Sequence, residues 1–213
     1  MRACASQLTP GEISLSTGQQ DISDLRLLMS YLSKMVLGTA QLHSDYGITN
    51  NLADARNEQK AIELVQAATG RGIQNFDTAP AYTNSESLLG RALSGRAKIF
   101  TKVSWDATCD IEDVAEVCEA SVNNSRKKLN RSKLDGVFTH TSPLDQKNAF
   151  EVGINNLKEL RKEGRISKIG CSLYDLSELE FVREVFVPDI LQIPANPFDD
   201  RFIRDSNLLE LRQ

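Results

Sequence analysis

The stretch 75-NFDTAPAYTNSESLLG-90 joins an apolar approach that ends in an acid, Asp77, to a tyrosine, Tyr82, and then to a helix start carrying Glu86. Its first residues read as the end of a short strand and its last as an amphipathic helix, so the polar centre is expected in a strand-to-helix loop and not in a core. The same succession recurs along the chain. Short apolar runs stand at MVLGTA (35–40), GIQNFD (72–77), KIFTKV (98–103), DGVFTH (135–140), KIGCSLY (168–174) and DILQIPAN (189–196). Each is followed by a polar loop and a segment of helical periodicity, the last being SNLLELRQ (206–213). In the helix expected from Asp110, the acids Asp110, Glu112 and Asp113 suit the N-terminal end of the dipole and the lysines near Lys128 its C-terminal end.

Strands separated by helices run parallel, because a crossover through a helix returns the chain in the same direction. The fold class expected is therefore parallel α/β with six strand-helix units. Two closures are open to such a chain, an open doubly wound sheet or a barrel of the TIM (β/α)8 kind. A doubly wound dinucleotide-binding sheet carries G-x-G-x-x-G after its first strand, and that pattern is absent from the sequence. A barrel gathers its functional residues at the C-terminal ends of several strands, and here the strands end at Gly38-Thr39, Asp77, Lys102, His140, Ser172 and Gln192.

Composition bounds the function. The 213 residues are 40% hydrophobic and 25% charged with net charge -4, an ordinary soluble globular balance. A mildly acidic chain gives no footprint for nucleic acid, and the basic run RKKLNRSK (126–133) reads as a solvated helix end. No apolar window approaches the roughly 20 residues of a membrane span, and MRACASQLTP has no signal-peptide core, so a cytoplasmic location is expected. Cys4, Cys109, Cys118 and Cys171 are widely spaced and accompanied by only two histidines, which predicts reduced thiols and no metal site. Residues 1–34 are rich in Ser, Thr, Gln and Gly and read as an extension without assigned role; residues 35–213 form the expected barrel-type domain.

The residue types at the strand ends complement one another. A tyrosine, with an ordinary pKa near about 10, becomes a useful proton donor when a nearby cation favours its phenolate, and Lys102 is the natural partner of Tyr82. Asp77 can hold that lysine charged, and His140 can orient a substrate oxygen. The set suits general acid catalysis on a polarised carbonyl. Each residue also has a plainer reading: Asp77-Thr78 as a loop cap, Ser85-Glu86 as helix-start chemistry, Lys102 as a solvated strand end, His140 as a satisfied interior histidine.

Six stretches, LGTAQLHSDYGITN (37–50), GIQNFDTAPAYTNSESLLGRAL (72–93), FTKV (100–103), LDGVFTHTS (134–142), GRISKIGCSLY (164–174) and LQIPANPFDDR (191–201), together resemble the aldo/keto reductase superfamily, nearest its bacterial-type members. The resemblance implies a (β/α)8 barrel that reduces an aldehyde or ketone, a small-molecule carbonyl substrate, with NADPH. It implies Tyr82 as proton donor, Lys102 lowering its pKa, Asp77 pairing with Lys102, and His140 positioning the carbonyl. Ser172 and Gln192 would hold the nicotinamide carboxamide, with Gly38 and Thr39 beside the same end of the cofactor. Leu173 stands where members often have Asn, and Asp45 and Tyr46 are further candidates to face substrate or cofactor.

Eight units close such a barrel, and six are visible. The expectation is a truncated chain that lacks the family's aromatic shelf and adenosine 2′-phosphate contacts, binds NADPH weakly alone, and exposes edges open to self-association or a protein partner. A noncatalytic reductase-like subunit is the alternative from another class. An isomerase or aldolase using Lys102 as a Schiff-base nucleophile is a second enzymatic one.

Overall fold

A computed structural model describes residues 30–42, 57–140 and 142–205 of the chain. Six strands, β1 (Val36–Gly38), β2 (Asn75–Asp77), β3 (Lys98–Val103), β4 (Gly136–Thr139), β5 (Ile169–Ser172) and β6 (Ile190–Gln192), form one sheet in sequence order. Every neighbouring pair is parallel. Helices α1 (Glu58–Gly70), α2 (Ser85–Ala92), α3 (Val114–Lys128), α4 (Lys147–Lys162) and α5 (Leu176–Val185) fill the five crossovers, and a short α6 (Arg201–Arg204) follows β6. A doubly wound sheet reverses its strand order at a switch point. This order never reverses, and the sheet curls as a half-barrel.

Alternation along the strands sets the two faces. On β3, Ile99 and Val103 turn outward into the helix layer, while Phe100 meets the Phe138 ring across the concave face at 6.2 Å. The outward side is the main core, where Phe76, Leu88, Leu89, Val122, Phe150, Ile154 and Val182 are fully buried. Each such side chain contributes about 1.5–3 kcal/mol by leaving water. On the concave side two glycines make room. A Cβ at Gly136 would lie 2.6 Å from the Phe100 ring, and one at Gly170 would lie 2.7 Å from the Phe138 ring.

Local sequence explains where the helices begin. Asn57 caps α1 by accepting the Lys60 N–H at 3.0 Å. Asp175 and Glu178 make a reciprocal capping box on α5. Helix α3 starts at Val114, later than the sequence suggests, because the chain first makes a turn closed by the Asp113 N–H on the Asp110 carbonyl at 2.9 Å. Glu116 is therefore the one acid in its first turn, while Arg126, Lys127 and Lys128 sit in its last turn as expected. Among the described residues no helix is long and apolar enough to cross a membrane. The expected final helix at 206–213, the 1–29 portion of the extension, and Asp45 and Tyr46 lie outside the described residues.

Candidate active site

The C-terminal ends of β2 and β3 bring a carboxylate and an ammonium together. Asp77 and Phe100 are register partners, so Lys102, two residues further along β3, stands on the same face just beyond the end of β2. Its Nζ donates to both Asp77 carboxylate oxygens at 2.7 Å and to the Thr78 carbonyl at 3.0 Å. Lys102 is only 2% exposed. Burial pushes its pKa below the ordinary lysine value, against the opposing charge and hydrogen bonds of Asp77. The three acceptors match the three protons of an ammonium, an arrangement that suits a charged positioning group more than a Schiff-base nucleophile. Its burial excludes the solvated-strand-end reading of Lys102.

Tyr82 lies in the loop between β2 and α2, a compact turn in which its N–H donates to the Ala79 carbonyl at 3.0 Å and its own carbonyl accepts the Ser85 N–H at 2.9 Å. The Lys102 Nζ stands 4.9 Å from the centroid of the Tyr82 ring. His140, just past the end of β4 and held by its N–H on the Val103 carbonyl at 2.8 Å, meets the same ring edge-on at 6.4 Å. Burial lowers the His140 pKa, the positive charge of Lys102 lowers it further, and Asp77 opposes both. The imidazole is consequently neutral at pH 7, suited to hydrogen bonding and not to carrying charge. The structure thus gathers Asp77, Tyr82, Lys102 and His140 on one rim.

Ser172 and Gln192 are register partners at the ends of β5 and β6. Leu173, next along, donates its N–H to the Gln192 carbonyl at 2.8 Å and buries its side chain in the core, so it offers no polar group to the rim. Gly38 ends β1, and among the described residues nothing lies within 4 Å of where its Cβ would sit. Thr39 is fully buried, and its hydroxyl and its N–H both bind the Asp77 carbonyl, at 2.9 and 3.0 Å. Its side chain therefore braces the strand carrying Asp77, and a cofactor beside it would meet backbone.

One rim support was not singled out from the sequence. Glu178, 5% exposed, accepts from the Ser142 hydroxyl at 2.7 Å and from the N–H groups of Tyr174 and Asp175 at 2.6 and 3.1 Å. It ties the loop after His140 to the loop after Ser172. The D-x-x-E pattern at Asp175–Glu178 signals a helix start, but nothing local announces the bond to Ser142.

A cavity of about 560 Å³ lies elsewhere, at the C-terminal end of α3 among Arg126, Lys127 and Arg131. Its arginines are engaged with backbone, Arg126 on the Ser132 carbonyl and Arg131 on the Ser94 carbonyl, which makes it turn architecture and not a second site.

Sequential parallel strands that curl as a half-barrel, with titratable groups gathered at their C-terminal ends, define a β/α-barrel scaffold. The chain belongs to the aldo/keto reductase family, which it matches over residues 34–213. It is 29% identical over 179 residues to the aldo-keto reductase YhdN of Bacillus subtilis, covering 78% of this chain and 51% of that protein. It is 26% identical over 164 residues to the D-arabinose 1-dehydrogenase of Saccharomyces cerevisiae, covering 73% and 47%. A solved structure of a Pseudomonas aeruginosa protein assigned as an aldo-keto reductase superposes with a TM-score of 0.63 at 28% identity, covering 78% of this chain and 64% of that one. The chain spans about half the length of the curated relatives it matches. Proteins of this family generally reduce carbonyl groups with a nicotinamide cofactor.

Proposed function

We propose that the chain carries the catalytic rim of an NADPH-dependent carbonyl reductase that acts on an aldehyde or ketone in the cytoplasm. The observation that carries this reading is the Lys102 ammonium, bonded to both Asp77 oxygens at 2.7 Å and standing 4.9 Å from the Tyr82 ring. A cation so placed, and shielded from water, favours the phenolate over the phenol, so the Tyr82 hydroxyl gives up its proton more readily than an ordinary tyrosine. Tyr82 donates that proton to the carbonyl oxygen as charge develops there. His140, kept neutral, hydrogen-bonds the same oxygen and fixes its direction. Asp77 holds Lys102 in place.

The residues at the other end of the rim suit the cofactor. A primary carboxamide needs a donor and an acceptor close together, and the Ser172 hydroxyl and Gln192 amide, in register on adjacent strands, supply both. Gly38 and Thr39, at the end of β1 on the opposite edge of the sheet, would face the same end of the cofactor from the other side. Bound there, NADPH supplies the hydride that reduces the carbonyl carbon. The test is loss of reduced-nicotinamide absorbance by the purified protein with short aldehydes, in the wild type and in Tyr82→Phe. Turnover in the wild type and none in Tyr82→Phe supports the assignment; equal rates refute it.

A further inference from the structure

The loop that carries Tyr82 is tied down by the two residues that follow it at the start of α2. Ser85, fully buried, donates its hydroxyl to the Thr39 carbonyl at 2.9 Å and the Leu42 carbonyl at 3.0 Å, both beyond the end of β1. Glu86, 2% exposed, accepts from the Thr101 hydroxyl on β3 at 2.7 Å. Neither side chain caps its own helix: the N-cap position of α2 is Asn84, which makes no side-chain cap bond. The pair stands in the first turn of α2, as its helix-start reading expects, and adds long-range bonds to the segment after β1 and to β3.

Thr101 immediately precedes Lys102 and points to the opposite face of the sheet. Ser85 closes the turn that holds Tyr82 through its N–H on the Tyr82 carbonyl. The bond from Glu86 to Thr101 accordingly links the segment bearing the phenol to the strand bearing the ammonium. The second Glu86 oxygen faces the Lys128 Nζ at 4.0 Å, at the end of α3. Helix α2 is pressed onto that end, since a Cβ at Gly90 would lie 2.3 Å from the Lys128 carbonyl. An apolar side chain would fill such an interior position with less desolvation than a carboxylate. What a carboxylate adds is a directional bond.

We propose that Ser85 and Glu86 form a positioning clamp that sets the separation between the Tyr82 phenol and the Lys102 ammonium, with the Glu86–Thr101 bond as its adjustable half. This rests on the reading of Tyr82 as a proton donor activated by Lys102. Losing the bond frees α2 to move away from β3, and the charge felt by the phenol falls with distance.

The test is a pH titration of the four tyrosines by NMR on the ring-labelled 213-residue chain, with the Tyr82 signal assigned by its loss in Tyr82→Phe. Removal of the ammonium in Lys102→Met is expected to raise the Tyr82 midpoint above its wild-type position. Thr101→Val, nearly unchanged in shape, and Glu86→Ala each raise the Tyr82 midpoint by about one pH unit in a chain that stays folded. Glu86→Gln, whose amide oxygen still accepts from Thr101, keeps the wild-type midpoint. If Lys102→Met moves Tyr82 while Thr101→Val does not, the clamp is overturned and the Lys102 reading stands. If Lys102→Met leaves Tyr82 unmoved, the activation reading fails and the clamp fails with it. Should Glu86→Ala not fold, Thr101→Val decides alone.

Discussion

At the ends of β2 and β3 the rim is buried, charged and already bonded: Lys102 spends its protons on Asp77 and Thr78, and Thr39 braces the Asp77 backbone. At the ends of β5 and β6 the rim is neutral: Ser172 is as buried as Asp77, Glu178 joins the loops that follow β4 and β5, and β6 is half-buried along its whole length. The first arrangement suits electrostatic work, because dipoles and charges fixed beforehand need no rearrangement when charge develops on a reacting oxygen. The second, with a hydroxyl and an amide in register on adjacent strands, suits recognition of a neutral group. The proposed function accordingly assigns chemistry to the first region and cofactor capture to the second.

Substitutions at the two ends should fail in different ways. The largest effect is expected for Tyr82→Phe, with kcat lowered about 10²–10⁴-fold and cofactor affinity retained, read by steady-state kinetics beside a binding titration. Lys102→Met should strike stability as well as rate, since it leaves Asp77 buried without its partner; urea unfolding should show a loss of about 3–5 kcal/mol, partly recovered by adding Asp77→Asn. At the other end, Gln192→Ala should weaken NADPH binding about tenfold, one hydrogen bond's worth, and leave the urea midpoint unchanged. If Gln192→Ala instead destabilised the chain like Lys102→Met, the division between the two ends would collapse.

The smallest effect concerns pH. The folded pKa of His140 lies below its ordinary value of 6.5, so the unfolded chain takes up its proton first on acidification. The His140 contribution to stability is fully present above about 6.5 and falls as pH drops toward the folded value. Urea midpoints measured across that window should decline in the wild type and decline less steeply in His140→Asn.

The sequence disclosed the strands better than the loops. KIFTKV became β3 over its full length, Lys98–Val103, because a continuous apolar run bounded by polar residues is a local signal. The parallel, sequential sheet followed from the helix between each pair of strands. Helix α3 began later than expected because a turn at 110–113 competed for the same acids, and no periodicity distinguishes the two. Asp77, Lys102 and His140 were legible as strand ends, while Tyr82, in the loop after β2, stood out only through its place between a strand-like run and a helix start. Thr39 was read as a strand end beside the cofactor and the Ser85–Glu86 pair as helix-start chemistry, yet their hydroxyls and carboxylate bind groups 15 to 46 residues away, and such partners leave no mark on neighbouring sequence.

The most direct single measurement is a fluorescence titration of the purified 213-residue chain with NADPH, run with the wild type, Tyr82→Phe and Gln192→Ala in parallel. Saturable binding of equal strength by wild type and Tyr82→Phe, with weaker binding by Gln192→Ala, is the predicted result. Absence of saturable binding to a cooperatively folded wild type, or equal binding by all three chains, would contradict the assignment of the β5–β6 end as the cofactor site.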